Sequence, residues 1–173
     1  MAAQQIIIVL LRLIHIVAGV FWVGATLSLV RFIIPSIAAT GAAGGAVMRE
    51  IVRRRMSAAL AASGGVTALA GLGLYGFDQA GSGGGWARTP FGITISIGAL
   101  LGIAALIIGS VRARPAALKL AALEEKVAAA GGPPPADLVA EMGRLRDQLT
   151  SGTIHAAVLM VLATAAMAIA RYV

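Results

Sequence analysis

The stretch Leu11–Ile34, LRLIHIVAGVFWVGATLSLVRFII, limits the fold more than any other part of the chain. A helix that crosses the roughly 30 Å hydrocarbon core of a bilayer needs about 20 apolar residues, and this run supplies them. It also carries Arg12, His15, Trp22 and Arg31. The chain as a whole is 59% hydrophobic and 12% charged, with a mean hydropathy of +0.92. Soluble domains carry about 25% charged residues. A chain this apolar has more apolar surface than its own interior can hide, so lipid is its solvent and the bilayer its first partner.

Four spans are expected, at about residues 5–34, 56–77, 91–111 and 152–173. Pro35 is expected to end the first, because proline lacks an N–H and restricts the residue before it. The small residues Ser36–Gly45 then read as a connector, and Asp78–Pro90, with its glycines and Trp86, as a loop. Stripes of small residues, such as Gly98, Gly102, Ala105 and Gly109 in span 3, let membrane helices approach closely. The expected fold class is therefore all-α. It is a single polytopic membrane domain over 1–173, with four transmembrane helices in a compact bundle plus a cytoplasmic helical hairpin.

That hairpin is Pro115–Ser151. Leu120, Leu123 and Val127 form one apolar seam at helical spacing. Leu138, Met142, Leu145 and Leu149 form another, and GGPPP at 131–135 breaks the chain between them. The two seams either bury each other or dock a partner subunit or a second copy. Glu124, Glu125 and Glu141 lie in this hairpin, where solvated charge is the default.

The net charge is +7. Its placement reads as topology rather than as a nucleic-acid footprint, so no nucleic-acid partner is expected. The first connection holds Arg31, Arg49, Arg53, Arg54 and Arg55; the third holds Arg112, Arg114, Lys119, Lys126, Arg144 and Arg146; the second holds only Arg88. Lysine and arginine stay on the cytoplasmic side, which places both termini outside. The leader MAAQQ has no basic segment, so no cleaved signal is expected. There is no cysteine, which excludes disulfides, thiolate metal sites and cysteine nucleophiles.

Within span 1, a wheel of about 100° per residue puts Arg12, His15, Gly19, Trp22 and Thr26 on one face. An ionisable side chain in a membrane helix costs at least about 2.5 kcal/mol on insertion scales, so it usually faces the bundle and serves something. Arg12 lies close enough to the end of the span to snorkel; His15 is deeper and shorter, and it is the candidate metal or haem ligand. Two histidines invite a bis-His haem. Depth opposes the pair: His15 lies about 24 Å from the cytoplasmic edge at Arg31, whereas His155 lies about 5 Å from that edge. Copper would want histidine and methionine together, but His155 sits about 140° from Met160 on the wheel.

His15, Trp22, Val23 and Gly24 resemble the His followed seven residues later by Trp-Val-Gly in the copper-resistance protein D family. Arg12, His15, Trp22 and Arg31 resemble the first helix of the haem-binding, flavin-independent protoporphyrinogen oxidase family, with Arg12 for its usual lysine. VMREIVRRRM followed by LAGLGLYGF is similar to that family's entry into its second helix. The resemblance extends to about Phe77. Span 3 lacks that family's basic residue and Tyr-His pair, and its fourth-helix Asn-Glu is also missing. The resemblance implies a bacterial inner-membrane protein whose cofactor, copper or haem b, would lie near Arg12, His15, Trp22 and Arg31. Three readings stay open: a protein that binds or moves a metal or small ligand at His15, a haem-b oxidoreductase, and a non-catalytic accessory subunit.

Overall fold

The computed structural model describes residues 2–173. Proline does not end the first helix. α1 (Ala2–Ser28) runs into a five-residue π turn, Leu29–Ile33, and on into α2 (Ile34–Ala39). The Ile34 N–H reaches back five residues to the Leu29 carbonyl. That wider turn takes up the register one residue before Pro35, whose ring would otherwise strike a carbonyl in the preceding turn. The same device recurs. α5 (Pro90–Ile108) passes through a π turn, Gly109–Ala113, into α6 (Arg114–Ala130), and the Arg114 N–H bonds the Gly109 carbonyl just ahead of Pro115.

The expected connector Ser36–Gly45 is therefore helical except for a break at Thr40–Gly41, where Gly41 takes φ +58°, a conformation that favours glycine. α3 (Ala42–Arg53) follows. At its end Glu50 accepts hydrogen bonds from Arg53 and Arg54, and these bonds, Arg53's first, hold its carboxyl below the usual value. α4 (Met56–Gly81) outlasts the boundary expected at Phe77 by four residues. The loop starting at Asp78 is thus shorter than the composition suggested. Trp86 closes it, meeting the rings of Tyr75 and Phe91 edge-on at 5.0 and 5.6 Å. α7 (Ala136–Ile169) runs unbroken from the hairpin into the fourth span. Among the described residues four helices are long and apolar enough to cross a membrane: Ala3–Ala39, Met56–Gly81, Pro90–Ala130 and Ala136–Tyr172.

The helices associate as two antiparallel pairs, and glycine sets both. In the α1–α4 pair, Leu11 lies over Gly73, His15 over Gly71, Gly19 beside Thr67, and Trp22 over Gly64. A Cβ on Gly64 would come within 2.7 Å of the indole and one on Gly71 within 2.9 Å of the imidazole, so no larger residue fits. In the α5–α7 pair, a Cβ on Gly98 would meet Met167 at 2.9 Å and the Ala163 carbonyl at 3.2 Å. Gly152 lies against the backbone of Ala113. Gly102 and Gly109 share the stripe with Gly98 but face open space. Between the pairs, Trp22, Ala105, Ala156 and Met160 form a buried cluster. The large side chains facing away from the bundle, such as Leu13, Val17, Leu69 and Leu100, are apolar, as a lipid-facing surface requires.

Beyond the spans, α6 and the first half of α7 form the hairpin. Ala116, Leu120, Met142 and Leu145 are buried in one cluster, with Leu123, Val127, Leu138 and Leu149 packed on it. The two apolar seams bury each other. Replacing Leu145 by Asp strands a charge in that cluster and should cost roughly 2–4 kcal/mol. Thermal unfolding of the detergent-purified variant measures this, and an unchanged midpoint would show that the seam is not buried.

Candidate functional site

His15 is held by α4. Its Nδ1 lies 2.8 Å from the backbone carbonyl of Thr67, and its ring covers Gly71. A carbonyl only accepts, so Nδ1 carries the hydrogen. In the neutral ring the Nε2 lone pair is then uncommitted. The Thr67 hydroxyl donates to the Ser63 carbonyl at 2.8 Å, which turns its methyl group toward α1. A Cβ on Gly19 would sit 3.5 Å from that methyl. Thr67 thus lies beside Gly19, one turn along α1 from the imidazole.

The helical-wheel face divides. His15 and Gly19 are half-buried, and Trp22 and Thr26 are buried, all toward the bundle. Arg12 is exposed. Thr26 spends its hydroxyl on the Trp22 carbonyl at 2.8 Å, within its own helix. Arg31 is exposed and lies over the ring of its neighbour Phe32 at 5.8 Å. Neither Arg12 nor Arg31 makes a hydrogen bond or ion pair among the described residues. Of the four residues singled out in span 1, only His15 and Trp22 are brought onto α4, at successive levels of the same interface. His155 is exposed on α7, with Nδ1 2.6 Å from the Ser151 carbonyl of its own helix.

Among the described residues no three His, Asp or Glu side chains cluster as a metal-binding group. Met160 packs in the cluster around Trp22, and Met167 lies on Gly98. The donor set therefore does not fit a bare copper ion, which would need several protein ligands at one point. One imidazole whose other nitrogen is anchored to a carbonyl suits a metal that brings its remaining ligands with it, as a haem does.

Two further features carried no clear signal in the sequence. Glu124, expected to be solvated, is only 5% exposed. One of its oxygens accepts from Arg146 at 3.2 Å, and the other is buried without a partner. Gly45 of α3 permits this, since a Cβ there would lie 3.4 Å from the carboxylate carbon. Glu125 and Glu141 are exposed as expected. The second feature is a cavity of about 100 Å³ between the two helix pairs, at the arginine-rich end of the bundle. Its wall is assembled from segments far apart in sequence, so no single stretch announces it. The chain matches no protein-family model, no curated protein and no solved structure.

Proposed function

We propose that this is a bacterial inner-membrane protein that holds a small ligand at His15, in the class implied by the likeness of its first helix to the copper-resistance D and haem-type oxidase families. The observation that supports this is the Nδ1–Thr67 carbonyl bond. It fixes the ring on α4 and leaves Nε2 as the one imidazole donor. Ligating histidines characteristically donate their other ring N–H to a carbonyl or carboxylate in this way. A haem-type macrocycle is the ligand best matched to a single-imidazole donor set, and His15 would be the residue that holds it, through Nε2. It would supply one-electron chemistry, while the chain supplies the imidazole, its orientation and the apolar surroundings.

The expected result is a Soret band in detergent-purified protein that His15→Leu abolishes while the far-ultraviolet helical signal persists. Absorbance spectra of the oxidised and reduced protein, with copper analysis alongside, test this. Full ligand content in His15→Leu, or a wild-type protein with neither chromophore nor metal, would overturn the reading and leave an accessory subunit in its place.

We propose further that the arginine-rich end faces the cytoplasm and that both termini lie outside. Eleven lysines and arginines in the first and third connections against one in the second support this orientation. A periplasm-active reporter fused after Val173 should be active and a cytoplasm-active one silent; the opposite pattern would reverse the topology.

A further inference from the structure

Glu124 is a buried charge with no part in the His15 site, and its surroundings are uneven. Its ion pair with Arg146 joins α6 to α7, and the Arg146 side chain is itself exposed. α3 lies across the same carboxylate at Gly45 and gives it no hydrogen bond. The second oxygen stays buried without a partner. A buried acceptor of this kind forfeits its hydration and receives nothing in exchange. Lifting α3 away would return water to that oxygen and leave the pair with Arg146 in place. Glu124 therefore opposes the docking of α3.

α3 is also bounded so that it can move as a unit. The backbone breaks at both of its ends, at Gly41 with φ +58° and at Arg55 with φ +57°. Among the described residues Arg55 is the only one other than glycine with a positive φ. Strained positions of this kind recur at switch regions, and hinges are a few residues at the ends of elements. Between the breaks, Gly44, Gly45 and Met48 are buried, whereas Arg53 is exposed. Met48, Ile51 and Val52 line the cavity between the helix pairs, together with Ala117 of α6. Among the described residues no hydrogen bond or ion pair ties α3 to α6. One wall of the cavity is thus held on by apolar contact, over a charge that it strands.

We propose that α3 is a hinged strap over this cavity. It swings about Gly41 and Arg54–Arg55, is closed by the burial of Met48, and is biased toward opening by Glu124. When it lifts, water enters from the arginine-rich end and reaches Ala117. The device does not depend on what His15 holds.

The chain has no cysteine, so thiol labelling reads this motion directly. Ala117 is 6% exposed and lies on the cavity wall. Ala116, in the hairpin seam, and Ala157, in the fourth span, are also buried and are not among the residues that line the cavity. In full-length, detergent-purified protein, Ala117→Cys should react with a water-soluble maleimide many times faster than Ala116→Cys or Ala157→Cys. Either of those two variants controls for general unfolding. Glu124→Gln keeps the shape of the side chain and removes its charge. It should slow the labelling of Ala117→Cys about tenfold, the scale of relieving one stranded charge. A Cβ on Gly45 already lies 3.4 Å from the Glu124 carboxylate carbon, so Gly45→Leu should hold the strap off. Labelling of Ala117→Cys should then speed up while the controls stay protected. Ala117→Cys labelled no faster than the controls, or a rate that Glu124→Gln leaves unchanged or raises, would overturn the proposal.

Discussion

In lipid, two apolar helices gain little by hiding apolar surface from each other, so contact must come from close packing. Here that contact is made where glycines let backbone and side chain meet. Trp22 and His15 lie on the bare backbone of α4 at Gly64 and Gly71, and α7 lies on α5 at Gly98. Everything else follows from these approaches. They set the antiparallel register of each pair, bring the Thr67 carbonyl within reach of His15, and stack the two pairs around Trp22, Ala105, Ala156 and Met160. The cavity lies between the two pairs alongside that cluster, with Trp22, Ala105 and Met160 on its wall.

The prolines contribute through continuity rather than interruption. Both Pro35 and Pro115 follow a π turn, and both helices carry on beyond it. The first span therefore delivers α2 and α3 to the arginine-rich end, where α3 rests on α6 through Gly45 and Glu124. The third span becomes the first arm of the hairpin, and α7 supplies the second arm and the fourth span in one helix. The membrane bundle and the hairpin are thereby mechanically one structure. A Gln148 side chain from α7 reinforces the joint by donating to the Arg112 carbonyl in the π turn.

Much of this was legible in the sequence because it rests on periodicity and composition. Four apolar runs of spanning length, the two hairpin seams, and the inward turn of His15 and Trp22 all repeat at helical spacing. The boundaries were less legible. Pro35 carries a strong local signal to stop, which a five-residue turn upstream overrides, and π turns have no sequence signature comparable to a proline. Asp78 reads as a turn former, yet the helix holds to Gly81. Glu124 reads as solvated because charge usually is, and its burial depends on a glycine 79 positions earlier, Gly45. Arg12 shares the His15 face by angle but lies near the helix end, where exposure was available to it. The cavity was invisible because its lining comes from α1 through α7, a product of tertiary packing alone.

The α1–α4 register carries the whole account, and a chain without native cysteine allows it to be tested cleanly. A Cβ at Gly19 would lie 3.5 Å from the methyl carbon and 3.9 Å from the hydroxyl oxygen of Thr67, the two positions a cysteine sulfur at residue 67 could take, so a disulfide between the two positions needs only a small adjustment. Gly65 is on the same helix, but a Cβ there meets nothing within 4 Å. Oxidation of a Gly19→Cys, Thr67→Cys double variant in membranes should give a rapid intramolecular cross-link, seen as a mobility shift that reductant reverses. The Gly19→Cys, Gly65→Cys pair should not cross-link. Equal reactivity of the two pairs, or none at Gly19 and Thr67, would contradict the docking of α1 on α4 that positions His15 and Trp22.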